Sequence, residues 1–253
     1  MRYVWRAGLL LLVLLGVWEL YVDLGGANSL ILPAPHAVAS ALYTDRSLLW
    51  SNFLVTASEI LLGIGLAALA GFAFAVGLHF SRRTLRPAVY PLLIASQTIP
   101  IALLAPVLVL WLGFGLAPKL VVIALVSFFS IVVTTLSGLG TVDPDLLKLM
   151  RTLDASRAQT FRYVELPWAL PGLFTGTKIA VVVAVIAAVL AEQAGSSSGL
   201  GYVFQQALAQ LLTARMYAAV AILSLFAIGL FALLTLAERL ALPWAHQPVG
   251  ERS

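Results

Sequence analysis

The chain has 253 residues, 61% of them hydrophobic and 10% charged, with a formal net charge of +4 and no cysteine. A soluble domain carries roughly 25% charged residues, so this composition describes an integral membrane protein whose solvent is the lipid bilayer. The lack of cysteine excludes disulfides, thiolate metal ligands and thiol redox chemistry, and the positive balance has a topological reading, given below, that leaves no nucleic acid among the partners.

The first apolar run covers residues 7–22 behind Arg2 and Arg6. A signal peptide shares its basic start and leucine-rich core, but no small-x-small cleavage pattern follows and Trp18-Glu19 interrupts the place for one, so we read an uncleaved first span. A polar connection through Asp23, Gly25, Gly26 and Asn28 leads to Leu32-Pro33-Ala34-Pro35, Val38 and a segment ending near Ser51 that holds a short surface helix. The second span, 53–79, is long enough, at about 1.5 Å per residue, to cross a hydrocarbon core of about 30 Å. Gly63, Gly65, Ala67, Ala70, Gly71 and Gly77 give it a small-residue face on which neighbouring helices approach closely, which predicts a central position.

A basic turn at 81–87 precedes the third span, 88–112, which contains QTIPIALLAPVLVLWLGFG. Pro91, Pro100 and Pro106 predict kinks, tolerated where neighbours satisfy the freed backbone groups; irregular backbone at that depth lines protein or a cavity. The fourth span is 120–139 and the fifth 173–191, with Gly172 and Gly176 at GxxxG spacing. The segment GSSSGLGYVFQQALAQLLTARM is polar and glycine-broken, and the sixth span is 217–240. Six spans put both termini on one side. With the termini inside, Arg2, Arg6, Arg82, Arg83, Arg86, Lys148, Arg151, Arg157, Arg162, Arg239 and Arg252 are cytoplasmic, against Arg46, Lys119 and Arg215 outside, as the positive-inside rule requires. Lys178, near the inner end of the fifth span, snorkels.

Residues 140–172 form the long polar, basic segment of an otherwise hydrocarbon chain. Asp143-Pro144 is an N-cap acid followed by a proline suited to the first helical position, and Leu146, Leu149, Met150 and Leu153 then recur on one face opposite Lys148, Arg151 and Thr152. Asp154 interrupts that helix. Ser156 with Gln159 is a capping box that starts a second helix running to about Tyr163, and Pro167 and Pro171 close the unit. Such a pair serves either as a docking surface for a soluble partner or as an interfacial helix pair on anionic headgroups.

From Asp154, nine residues precede Val164-Glu165-Leu166-Pro167. This pattern resembles the loop of binding-protein-dependent ABC transporter permeases, in which Glu-Ala-Ala, a glycine and nine residues lead to Ile-x-Leu-Pro. Lys148, Leu149 and Met150 stand where the family has Glu-Ala-Ala, and Asp154 where it has glycine. Aspartate is among the few other residues that tolerate a left-handed backbone, whereas lysine for glutamate reverses a charge at the family's docking surface. The resemblance covers about residues 30–243 and implies an all-α, six-span permease of the type I importer (MetI-like) fold: a single domain over 1–253, with 53–243 as core and 140–172 as cytoplasmic coupling loop. It also implies that Asp143, Lys148, Met150, Arg151, Asp154, Ala155, Ser156, Arg157, Phe161, Leu166 and Pro167 meet a cytoplasmic ATPase. ATP and Mg belong to that partner. The further partners it implies are an extracytoplasmic solute-binding protein and a second permease copy.

No nucleotide site stands in this chain: residues 172–178 have the wrong glycine spacing for a phosphate loop. His36, His79 and His246 are scattered and form no HExxH, so neither a metal centre nor a catalytic constellation is expected. Among polar groups in the spans, Glu19, Glu59 and Glu192 lie near outer ends, where headgroup solvation competes with function. Gln97 and Thr98 before Pro100, with Glu192 and Gln193, either line a translocation path or bond between helices. Phrases such as AEQAGSSSGLGYVFQQA are similar to permeases for thiamine-pyrimidine precursors and riboflavin-like heterocycles, with taurine, alkanesulfonate and nitrate permeases as the alternative. A channel or secondary transporter working without an ATPase is the rival from another class; no inverted repeat or filter motif supports it.

Overall fold

Eleven helices carry the chain in the computed structural model, which describes residues 2–81 and 85–246. Arg82, Arg83 and Arg252 lie outside the described residues. Helix α1 is Arg2–Asp23, α2 is Pro35–Thr44 with its proline in the first turn, and α3 is Arg46–Phe80. The helix α3 thus begins seven residues before the expected span, because Arg46 follows the Asp45 cap of α2 without a turn-forming glycine or proline.

The third span differs most from expectation. It is two helices, α4 at Leu85–Ser96 and α5 at Ile101–Leu112, bent by 90° at the break between them. Pro91 and Pro106 sit inside these helices without breaking them, whereas Pro100 has extended backbone and caps α5. The residue before a proline is driven out of the helical region, and Gln97–Ile99 carry the turn.

Helix α6 is Leu116–Gly140, α7 Pro144–Thr152 and α8 Arg157–Thr160, followed by a π-helical turn at Phe161–Glu165 that runs into α9 at Leu166–Gly195. Helix α10 is Leu200–Ala209 and α11 Thr213–Ala241, with a final 3-10 turn at Pro243–His246. By length and composition α3, α6, the α8–α9 run and α11 each suffice to cross a membrane, and the bent α4–α5 pair adds a fifth crossing if it is one span. Helix α1, with 22 residues, occupies the first of the six expected positions and leaves most of its apolar side chains exposed.

The core joins α3, α5, α6 and α9 through Ile60, Ile64, Ala105, Leu108, Val122, Ile123 and an alanine stripe at Ala184, Ala187, Ala188 and Ala191. Hydrocarbon outside offers no hydrophobic drive for association, so close packing of small residues holds the helices together. Gly63, Ala67 and Gly71, spaced by four, form the face of α3 that meets α6: side chains on the two glycines would strike Ile123 and Ile131. Gly65 and Gly77 face open space and Ala70 is exposed, so the small-residue face is narrower than expected. On α9, a side chain at Gly172 would run into the Thr134 carbonyl, and one at Gly176 into the Thr134 hydroxyl and the Ile131 backbone.

Gly65→Ala, in open space, gains helix propensity of up to about 1 kcal/mol. Gly176→Ala overpacks the α6–α9 contact at about 1–3 kcal/mol. Thermal unfolding in detergent should therefore lower the midpoint for Gly176→Ala and keep or raise it for Gly65→Ala; equal midpoints would contradict the packing described.

Candidate functional site

Two polar groupings stand at opposite ends of the bundle. At one end, α7 and α8 form the connection between α6 and α9. Asp143 accepts the Asp145 N–H at 2.8 Å and caps α7 ahead of Pro144. Leu146, Leu149 and Leu153 are exposed, up to 66% for Leu153, while Met150 is half-buried. Lys148 pairs with Asp145 at 2.7 Å, but both side chains are more than 70% exposed, so the pair contributes little and leaves Lys148 available.

The turn after α7 is a Schellman motif. The Asp154 N–H donates to the Arg151 carbonyl and the Ala155 N–H to the Met150 carbonyl, with Asp154 at φ 54°. That left-handed position belongs to glycine in most helix ends, and aspartate is one of the residues that tolerates it. The Ser156 hydroxyl then accepts the Gln159 N–H, and the Gln159 side chain accepts the Ser156 N–H, completing the capping box. Arg157 lies over the Phe80 ring at 5.3 Å, Phe161 packs on Phe80 at 5.0 Å, and His79 meets Glu165 at 3.2 Å. The last residues of α3 thereby hold α8 from beneath.

Pro167 and Pro171 do not close this unit as the sequence suggested. The Leu166 N–H donates to the Phe161 carbonyl, five residues back, and the helix continues through both prolines into α9. A π turn widens the helix where a proline ring would otherwise press on the carbonyl of Tyr163, so α8 becomes an extension of the long α9. Leu166 and Pro167 are its half-buried first residues.

At the other end, the ionisable groups Glu59 and Glu192, placed by the sequence near outer span ends, are buried. Glu192 is 1% exposed and accepts hydrogen bonds from Thr56 Oγ1 at 2.6 Å and the Gly201 N–H at 2.5 Å. Thr56 Oγ1 accepts the Leu200 N–H and Asn52 Oδ1 accepts the Gly199 N–H. Together α3 and α9 thus bind the amides at the start of α10, whose N-cap Gly199 has φ 107°. Beside it, Lys119 Nζ donates to Glu59 Oε1 at 2.6 Å and to Ser196 Oγ at 2.8 Å, with both charged side chains under 10% exposed. Glu59, Lys119, Phe114, Leu116 and Ser196–Ser198 line a pocket of about 650 Å³.

Of the residues singled out for a path, Glu192 takes part in interhelical hydrogen bonds, and Gln193 is half-buried next to it. Gln97, Thr98 and Pro100 are exposed at the α4–α5 break; the Thr98 hydroxyl donates back to the Ala95 carbonyl at the end of α4, and no hydrogen bond joins these residues to Glu192 among the described residues. Sequence reasoning missed the partners of both intramembrane lysines. It placed Lys119 in an external loop and left Lys178 to snorkel, whereas Lys178 Nζ meets Glu238 of α11 at 2.7 Å. The available signal was the cost of an unpaired lysine in an apolar run, which demands an acid from another span.

His36, before the bundle on the same side as Glu192, forms a hydrogen bond and ion pair with Glu19, with Asp23 close enough that one ligand-type atom from each lies within 4.8 Å of the others. The Glu19 hydrogen bond, then its charge, raises the imidazole above the usual histidine range. The contact therefore contributes most below that range and is lost as pH rises through the raised value.

A model of the family described as binding-protein-dependent transport system inner membrane component matches residues 60–243. The chain is 35% identical to a formylaminopyrimidine transport permease protein of Halalkalibacterium halodurans, covering 93% of this chain and 94% of that one. It is 36% identical to a riboflavin transport system permease protein of Chloroflexus aurantiacus, covering 96% and 92%. A taurine transport system permease protein of Escherichia coli is similar at 30% identity over 92% and 87%. A chain of the methionine ABC transporter MetNI in an inward-facing conformation superposes with TM-score 0.65 at 20% identity, over 80% of this chain and 98% of that one, a likeness of fold.

The Schellman geometry makes a graded expectation at Asp154. Asp154→Gly, which relieves the left-handed strain, should leave the thermal midpoint and any transport activity intact; Asp154→Val should cost about 1–2 kcal/mol and reduce both. Indistinguishable Val and wild-type proteins would show that the turn does not depend on this residue.

Proposed function

This chain belongs to the family of binding-protein-dependent transport system inner membrane components and is an ABC importer permease; from that premise we propose how it couples and what it carries. The end bearing α7 and α8 faces the cytoplasm, with both termini, and seats in an ATPase subunit that supplies ATP and Mg. Two copies of the chain form one path, their contact drawn from exposed apolar residues such as Leu103, Leu110 and Trp111 on α5. ATP-driven closure of the ATPases rocks each copy as a body, alternating access to a binding protein outside and to the cytoplasm.

The observation that carries the coupling role is the exposed leucine face of α7, held at a fixed angle by the Asp154 turn and continuous with α9 through the π turn. An interfacial helix pair would also expose leucines, but α8 and the π turn are clamped to α3, Arg157 and Phe161 on Phe80 and Glu165 on His79, which fixes their orientation rather than leaving them free to sink into headgroups.

For the solute, the relatives' names are divided between heterocycles and sulfonates. Charge favours a neutral heterocycle of the aminopyrimidine or flavin kind. A sulfonate or nitrate is best served by an unpaired cation along its path, beyond what a helix N-terminus such as that of α6 offers. Both lysines within the described spans, Lys119 and Lys178, are already neutralised by Glu59 and Glu238.

Leu149, 52% exposed on α7, is the direct test. Leu149→Asp should lower recovery of the ATPase on co-purification about tenfold or more, as loss of an interface hot spot does, without changing the thermal midpoint of the permease. Uptake by this variant at the wild-type rate, or uptake with no ATPase present, would instead support a transporter that works alone.

A further inference from the structure

We propose that the pocket at the outer end is a contact site for the solute itself, taking a planar, neutral heterocycle that lies on Phe114 and donates an N–H to Glu59. The inference rests on the solute class proposed above and assigns it a place in this chain.

The volume of about 650 Å³ is within the range of small-molecule sites. Its rim is one aromatic ring held out by the backbone: Gly113 at φ 79° and Gly115 at φ 128° flank Phe114, which is 82% exposed at the α5–α6 turn. Left-handed backbone on both sides is open to glycine and strained for nearly every other residue. The turn therefore presents Phe114 instead of packing it. Across the opening, Gly195 lies beneath the ring, where an added Cβ would be 3.1 Å from Phe114. A flat ligand has an apolar face to stack on and a short polar wall at Ser196–Ser198 to run along.

The floor is specific in what it lacks. Glu59 Oε1 accepts from Lys119, but Glu59 Oε2 is buried and has no hydrogen-bond partner, a state that is unfavourable for a carboxylate oxygen. Lys119 is held by Glu59 and Ser196. The site thus needs a donor. An amino group or ring N–H supplies one; an alkanesulfonate or nitrate brings acceptors alone and a charge that Glu59 repels, and taurine, whose ammonium can donate, has no flat face to lie on Phe114. Glu59 lines the pocket although Oε2 itself is buried, so the solute engages Oε2 through a rotation of the Glu59 side chain.

The chain has no cysteine, so Ser197→Cys, exposed at the pocket wall, places a single thiol there. Maleimide labelling of this variant, in complex with its ATPase, is measured with riboflavin, formylaminopyrimidine or taurine. The expected result is several-fold slower labelling with one of the two heterocycles and no change with taurine. Phe114→Ala, which removes an exposed ring and spares the fold, should raise the half-protective concentration about fivefold, the loss of one aromatic stack. If the partner binding protein binds a heterocycle and uptake proceeds, yet neither heterocycle slows labelling, the pocket assignment is overturned while the solute reading stands. Protection that is equal with and without Phe114 overturns it as well. If taurine alone binds the binding protein and alone protects the thiol, the solute reading falls and this inference with it.

Discussion

Water is absent from the hydrocarbon core, so each polar group placed there must be satisfied by another part of the chain. That constraint explains the long-range ties of this bundle. Lys119 with Glu59 joins α6 to α3, Lys178 with Glu238 joins α9 to α11, and Glu192 joins α9 to Thr56 of α3 and to the first turn of α10. Breaking one partner of a buried pair leaves an uncompensated charge at about 3–5 kcal/mol, far more than any exposed pair contributes. These ties fix which helices move together.

Helix α9 takes part in two of these three ties. It packs on α6 through Gly172 and Gly176, on the core through its alanines, and on α11 through Lys178. Its lower end is α8, by way of the π turn, and its upper end carries Glu192 and the serines of the polar pocket. A push on α8 therefore has a stiff path to the opposite end. Helix α5 packs on this axis through Ala105 and Leu108 and leaves Leu103, Leu110 and Trp111 exposed on its other side, the apolar surface proposed above to meet a second copy.

What could be read in the sequence was what is local. The Asp143 cap, the Ser156–Gln159 capping box and the left-handed Asp154 each depend on residues within one turn, and all three take the expected geometry. The GxxxG at Gly172 and Gly176 was equally legible, since only close approach explains two glycines at that spacing in a helix. The ion pairs were not, because Lys119 and Glu59 are separated by 60 residues and hydropathy alone moves a lysine to the nearest loop. The prolines misled in both directions: Pro100 turned the chain by 90° where a kink was expected, and Pro167 failed to end a helix that a π turn could carry past it.

The central claim is that α8, α9 and the pocket lined by Glu59 and Lys119 move as one body. Spin labels on Ala158→Cys and Ser197→Cys, in a complex with one labelled and one unlabelled copy, report the distance between the two ends by pulsed electron resonance. The account predicts the same distance distribution with and without trapped ATP, while labels at Ser197→Cys on both copies separate or approach between those states. A within-chain distance that shifts as far as the distance between copies would contradict it.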